Sequence, residues 1–288
     1  MTKVCVITGG GSGMGLETAK LMGPDVKVII SGRTVAKLEG AIESLREAGV
    51  DAEPFACDVS DRASGEALAA FARSLGTVTT VIHAAGISPH MGDGMAILSI
   101  NAVGTMNVDE VFGGIIADGG VILNVSSMSA YMLPSDRVPL ALYQASAYGA
   151  EAFLAGCAQM LAQVPAQMVP GMAYTVSKHF VIWYTEKMAL ELGRRGVRVV
   201  SISPGTFATP MGDVEGEEAA RFALNGALGR LGDPKEIAAM MAFMVSDQAG
   251  YLTATDVLYD GGAVAAYRAQ MAASAAQNAP AAAAPAAN

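Results

Sequence analysis

Short runs of β-branched residues alternate with longer stretches of helical periodicity along most of this chain. That alternation restricts it to an α/β fold with a parallel sheet, because parallel neighbours need a crossover that a helix supplies. The strand runs fall at 3–8, 26–31, 52–57, 78–83, 120–125, 197–203 and 255–259, about seven in all, and the helical runs near 13–22, 34–48, 61–75, 95–116, 172–193 and 234–246. Val26-Lys-Val-Ile-Ile30 and Val197-Arg-Val-Val-Ser-Ile202 are almost continuously apolar, as strands covered on both faces are. The expected architecture is one doubly wound domain over 1–265, and 288 residues suffice for a single large core of that kind.

Two segments break the alternation. The stretch from Met128 to Pro170 is too long for a strand-to-helix loop, and its Ala-, Leu- and Gln-rich middle, Leu140 to Gln163, predicts a helical insertion. From Ala266 to Asn288 the composition falls to Ala, Pro, Gln and Asn, which cannot build a core and predicts a tail, with a terminal helix open over Tyr267 to Ala276.

A net charge of −9 argues against nucleic acid or an anionic membrane as partner. Cys5, Cys57 and Cys157 are widely spaced and form no CxxC pair, so they read as reduced core thiols, and no metal site is expected. The chain opens directly on Lys3-Val-Cys-Val-Ile-Thr8 with no basic segment before a long apolar one, and no run of about 18 apolar residues follows. A cytoplasmic protein is the expectation.

Three local patterns carry chemistry. Thr8-Gly9-Gly10-Gly11-Ser12-Gly13-Met14-Gly15 stands between an opening strand and a helix, where glycines let the backbone approach a pyrophosphate at the helix start. At the end of the second strand stands Ser31-Gly32-Arg33 in place of the carboxylate that grips ribose hydroxyls; a guanidinium there favours a 2′-phosphate, hence NADP(H) ahead of NAD(H), with NAD(H) left open. Finally, Tyr174 and Lys178 are four residues apart on a predicted helix, which puts phenol and ammonium on one face and draws the phenol toward the working range of a general acid/base.

Together with His83-Ala84-Ala85-Gly86, Asn101, Asn124-Val-Ser126-Ser127, Pro204-Gly205-Thr206-Phe-Ala-Thr209 and Asp260-Gly261-Gly262, these motifs stand in the order seen in short-chain dehydrogenases/reductases, and the chain resembles that family over residues 3 to 262. The resemblance implies a Rossmann-like fold and an NAD(P)-dependent enzyme interconverting ketones and secondary alcohols. Tyr174 would exchange a proton with the substrate oxygen, Ser127 would polarise that oxygen (Ser126 being the alternative), Lys178 would act on Tyr174 and the nicotinamide ribose, and Asn101 would shape its helix and hold a water. For the cofactor it implies Gly9, Ser12, Gly13, Met14 and Gly15 at the pyrophosphate, Arg33 at the ribose, Asp58 and Val59 at the adenine, Ala85 and Gly86 beside it, and Pro204, Gly205 and Thr209 at the nicotinamide. His83 and Ala84 depart from the usual Asn-Asn pair, and His83 reads as a buried, hydrogen-bonded histidine.

The family usually places serine and tyrosine about a dozen residues apart, whereas the insertion separates Ser127 from Tyr174 here. In that it resembles bacterial 3α-hydroxysteroid dehydrogenase/carbonyl reductases. Met128, Tyr131, Met132 and Leu133 then become candidates for an apolar pocket wall, and the substrate a bulky apolar carbonyl compound such as a steroid, alicyclic or aromatic ketone. Rival readings are a 3-oxoacyl thioester reductase and a catalytically silent NADP(H)-binding regulator. A homodimer or homotetramer is expected from the family resemblance.

Overall fold

Seven strands form one parallel sheet in the order β3-β2-β1-β4-β5-β6-β7. They are β1 (Lys3–Thr8), β2 (Val26–Gly32), β3 (Ala52–Ala56), β4 (Thr77–His83), β5 (Val121–Val125), β6 (Arg198–Pro204) and β7 (Thr255–Tyr259). The structure is a computed structural model and describes residues 2–277. Successive side chains leave opposite faces of a strand, so each buried strand feeds two cores. Val4 and Val6 of β1 join Val81, Phe112 and Phe180 on one face, while Cys5 and Ile7 join Leu38, Ile237 and Met241 on the other. All three cysteines are buried and unpaired.

The helices are α1 (Gly13–Ala19), α2 (Val35–Glu47), α3 (Arg62–Leu75), α4 (Gly94–Leu98), α5 (Gly104–Gly113), α6 (Leu140–Gln144), α7 (Ala150–Leu161), α8 (Val169–Leu192), α9 (Pro210–Leu224), α10 (Pro234–Val245) and α11 (Ala263–Gln277). Capping chemistry sets several starts: Asp61 accepts from Ala63 N–H ahead of α3, and Asp233 and Glu236 form a reciprocal capping box on α10.

Three features differ from the sequence expectation, and a fourth is the terminal helix that it left open. The run at 95–116 is not one helix but α4 and α5 joined by a π-helical turn over Ser99–Val103, a widened turn of a kind that often marks functional positions. Helix α8 begins at Val169, three residues early, because Pro170 sits in its first turn, where its missing N–H costs no bond. Helix α9 lies outside the helical runs read from the sequence; Thr209 caps it by accepting from Gly212 N–H, and Gly216 interrupts it at φ 72°. Helix α11 takes up much of the expected tail: Tyr267 packs on Phe222, and Arg268 lies 5.8 Å from the Tyr131 ring centroid. Residues 278–288 of that tail lie outside the described residues.

The insertion is helical, as α6 and α7, and it is part of the core rather than an appendage. Tyr143, Phe153 and Cys157 are fully buried, with Phe153 4.7 Å from Phe180 of α8 between ring centroids. It also packs closely on α4, where a Cβ on Gly94 would lie 3.0 Å from a Leu161 side-chain atom of α7 and 2.7 Å from Val169 at the start of α8.

Candidate active site

The chain runs outward from β1 to β2 and β3, then crosses back to β4 beside β1. A crevice opens at the carboxyl ends of strands where the winding reverses, and ligands of such sheets bind there. Two cavities occupy it. One, of about 310 Å³, is lined by Gly9, Gly11, Ser12, Gly13, Met14 and Gly15 after β1, by Arg33 and Lys37 near β2, by Asp58 and Val59 after β3, and by Ala85 and Gly86 after β4. The other, of about 350 Å³, has Ser126, Ser127, Tyr174 and Lys178 at its base and Pro204, Gly205 and Thr209 on one side. Met14, Gly86 and Thr209 line both, so the two form one continuous site.

The first cavity is shaped by backbone packing that only glycine permits. Gly9 adopts φ 70°, and a Cβ on it would lie 2.7 Å from Ala84 C, Ala84 O and Ala85 N; a Cβ on Gly15 would lie 2.6 Å from Gly9 O. The turn is thereby pressed onto the end of β4, leaving a side-chain-free cradle before α1 that fits a dinucleotide pyrophosphate. Ser12 stands at the N-cap of α1 and makes no side-chain cap bond. Asp58 has a structural duty as well as a place in the cleft, since its Oδ1 accepts from Ser60 N–H (3.0 Å) and Ser60 Oγ–H (2.6 Å). Lys37, on the first turn of α2, is a second cation beside Arg33 that sequence reasoning missed; its place four residues after Arg33, across the α2 start, was the available signal.

His83 sits below this cradle and is 2% exposed. Thr8 Oγ1 accepts from Ala85 N–H (3.3 Å) and lies 2.7 Å from His83 Nδ1, so the Thr8 hydroxyl proton points to the imidazole. Burial first, and the Lys178 ammonium second, push the imidazole down to about 3. His83 is thus a neutral brace between β1 and β4.

In the second cavity, α8 carries Tyr174 and Lys178 on one face, with the ammonium 5.9 Å from the phenol ring centroid. Lys178 is 6% exposed, and its Nζ donates to Val125 O at 2.9 Å. A Cβ on Gly86 would lie 3.3 Å from that ammonium and 3.1 Å from Asn101 Oδ1, which explains a glycine there. Asn101, in the π turn, accepts from Ile87 N–H (2.9 Å) and donates to Ile87 O (3.0 Å) and Ser177 Oγ (3.3 Å), so it holds the segment after Gly86 against α8.

The adjacent serines are in different situations. Ser126 Oγ–H donates to Lys178 O at 2.7 Å, whereas Ser127 Oγ accepts from Ser129 N–H at 3.2 Å and keeps its own proton for a ligand. Ser127→Ala is therefore expected to lower kcat by about a hundredfold, the usual cost of losing a donor to a developing oxyanion. Ser126→Ala should cost about 1 kcal/mol of stability and leave kcat near the parent value. Steady-state rates and thermal melts of the two variants check this, and equal losses in kcat would refute the distinction.

Of the four residues expected in the pocket wall, Met128 and Met132 line the cavity, and Tyr131 and Leu133 do not. The Tyr131 hydroxyl turns to β7 and donates to Asp256 Oδ2 at 2.7 Å, which corrects the expectation for that residue. The opposite wall comes from residues the sequence reading missed, chiefly Phe207, Met211 and Phe222 on and before α9, with Ile87, Pro89 and His90 above. The pair Thr209-Pro210, a cap followed by a first-turn proline, was the signal that a helix starts there.

Two family models match the chain: short chain dehydrogenase over residues 3–172 and Enoyl-(Acyl carrier protein) reductase over residues 156–264. A short-chain dehydrogenase/reductase of Alternaria brassicicola is 31% identical over 270 residues, covering 92% of this chain and 97% of the relative. The 2,5-dichloro-2,5-cyclohexadiene-1,4-diol dehydrogenase of Sphingobium indicum is 32% identical over 272 residues, covering 90% of this chain and 95% of the relative. Among solved structures, a variant of an actinorhodin polyketide ketoreductase with NADPH is 27% identical, covers 91% of this chain and 97% of its own, and superposes with a TM-score of 0.71. With a family model spanning more than half of its length and relatives matched almost end to end, this chain belongs to the short-chain dehydrogenases/reductases, oxidoreductases that act on alcohol and carbonyl groups.

Proposed function

We propose that the protein is an NADP(H)-dependent oxidoreductase that interconverts a ketone and a secondary alcohol on a bulky apolar substrate. The observation that carries this reading is the second cavity: Ser127 and Tyr174 both line it, while Met128, Met132, Phe207, Met211 and Phe222 make its walls apolar. Lys178 is the one lysine or arginine among the described residues that line it, which disfavours anionic substrates and the phosphopantetheine arm of a 3-oxoacyl thioester. The placement of the insertion before Tyr174 supports the likeness to 3α-hydroxysteroid dehydrogenase/carbonyl reductases. The three unpaired cysteines suit a reducing cytoplasm, and no helix among the described residues is long and apolar enough to cross a membrane. A homodimer or homotetramer rests on the family resemblance.

When bound, a nicotinamide would supply the hydride for reduction and take it up in oxidation. Tyr174 gives its phenolic proton to the carbonyl oxygen, Ser127 donates a hydrogen bond to the same oxygen, and the Lys178 ammonium stabilises the phenolate left behind. Asn101 holds the segment after Gly86 against α8, and Pro204 and Gly205 line the part of the cavity that would hold the nicotinamide.

Arg33 and Lys37 stand together in the first cavity, and Ser31-Gly32-Arg33 closes β2 without a carboxylate. Two cations complement a 2′-phosphate. Arg33→Ser is expected to raise KM for NADPH by about tenfold to a hundredfold, the worth of a charge-assisted pair, with little change for NADH. Rates on a panel of cyclic ketones, steroids, sugars and an acetoacetyl thioester, each with NADPH and NADH, test the whole reading. Turnover of cyclic or steroidal ketones with NADPH preferred is expected. Preference for sugars or the thioester, or no turnover with any carbonyl, would overturn it.

A further inference from the structure

Beneath the active site lies a second polar cluster that the proposed reaction does not use. Asp109 of α5 is fully buried; its Oδ2 accepts from Asn124 Nδ2 at 2.8 Å, and the same amide nitrogen donates to Thr185 Oγ1 of α8 at 3.1 Å. The two remaining oxygens, Asp109 Oδ1 and Asn124 Oδ1, are both buried acceptors without a donor in the structure. An ionised carboxylate leaves both unsatisfied, whereas one proton on Asp109 Oδ1 turns one of the two orphaned acceptors into a donor, in a cluster whose other unmet group, Asn124 Oδ1, is an acceptor.

Among the described residues no cation forms an ion pair with Asp109, and the distant Lys187 ammonium, which favours the ionised form, is opposed by the Glu110 carboxylate. Glu110, the next residue on α5, is itself acidic and already takes Arg62 of α3 and the Tyr184 hydroxyl of α8. Lys187 of α8 bonds Glu191 at 2.7 Å and lies 4.9 Å from the Tyr184 ring centroid. His83, register partner of Asn124 on β4, is the neutral brace to Thr8 described above. A lone buried charge in such surroundings is costly, and a neutral acid is the cheaper state.

We propose that Asp109 holds a proton and acts as a positioning residue, its acid–amide pair with Asn124 fastening β5 to α5 and α8 under the candidate catalytic groups. The leverage is direct. Asn124 immediately precedes Val125, whose carbonyl receives the Lys178 ammonium, and Thr185 lies two turns beyond Lys178 on the same face of α8. The pair therefore sets β5, with Ser127 at its end, against the helix that carries Tyr174.

Burial, opposed by the Asn124 hydrogen bond, pushes the Asp109 carboxyl up to about 7 from 3.8. Its contribution to stability is whole below the ordinary carboxylate pKa and is lost as pH rises to about 7. Proton and positioning can be tested apart. The proton does not depend on the functional reading, whereas the positioning role rests on it.

The infrared difference spectrum of full-length wild type minus D109N, taken about one unit below that pKa, is expected to show the C=O band of a protonated carboxylic acid, lost on titration to alkaline pH. Absence of the band would overturn the proton assignment. The melting temperature of wild type should fall between acid and neutral pH by an increment that D109N lacks, so that D109N is the more stable protein above neutrality; a D109N less stable there than wild type would show a required charge and overturn the assignment as well. D109A is expected to lose kcat by about tenfold or more with NADPH affinity retained, and D109N to restore most of it, as loss and recovery of orientation require. A folded D109A with wild-type kcat on a substrate that wild type turns over would overturn the positioning role. Should D109A not fold, the kcat of D109N decides: a tenfold loss there, despite the neutral amide, would overturn it equally.

Discussion

Tyr174→Phe is expected to lower kcat by at least about a hundredfold, the loss that removal of a positioned general acid brings, while the melting temperature and the dissociation constant for NADPH stay near those of the parent. The change deletes one oxygen from a half-buried side chain on the cavity wall and leaves α8 packed through Ala173, Val176 and Phe180. The ring that faces Lys178 remains, so the ammonium keeps its bond to Val125 O. Only the proton donor is lost. Calorimetry, cofactor titration and steady-state rates measured together separate chemistry from binding and folding, and a folded Tyr174→Phe enzyme with kcat within about threefold of the parent would remove Tyr174 from the mechanism.

Gly9→Ala should disable the protein by another route, through the backbone. Its φ of 70° lies in the left-handed region, which costs an alanine about 1–2 kcal/mol, and the added methyl would meet three backbone atoms of Ala84 and Ala85 at 2.7 Å. None of those atoms can rotate away, because the Ala84 N–H is bonded to Thr8 O and the Ala85 N–H to Thr8 Oγ1. A loss of roughly 3 kcal/mol or more is expected, together with loss of NADPH binding as the cradle opens. Gly13→Ala is the control: its φ is 55°, but its Cβ would meet only Thr209 side-chain atoms, at 3.7 Å, so only the strain of about 1–2 kcal/mol should remain. Thermal melts and a fluorescence titration with NADPH rank the pair; similar losses in both would mean that contact at Gly9 does not matter.

The strands and most helices were legible because a strand buried on both faces is apolar throughout and an amphipathic helix repeats about every 3.6 residues. Where those signals fail, so did the reading. The run at 95–116 is buried nearly all round in α5, so nothing in its pattern marks the π turn that Asn101 occupies. Helix α9 carries Asp213-Val-Glu-Gly-Glu-Glu218, which resembles a loop, yet it supplies Met211 and Phe222 to the cavity. The insertion was recognised as helical from composition, but its burial through Tyr143, Phe153 and Cys157 depends on a groove made by α4 and α8.

What the sequence determined by itself was local. The glycines after β1, the pair Tyr174 and Lys178 four apart, and the arginine closing β2 are separations along a single element, and helix and strand geometry turns such separations directly into positions. The tertiary structure alone decided which serine hydroxyl is tied to the Lys178 carbonyl, that Tyr131 turns from the cavity to Asp256, and that Asn124 joins the buried Asp109 to Thr185. Each of those depends on groups far apart in the chain, brought together by packing, and burial there sets both the direction of a hydroxyl and the protonation state of an acid.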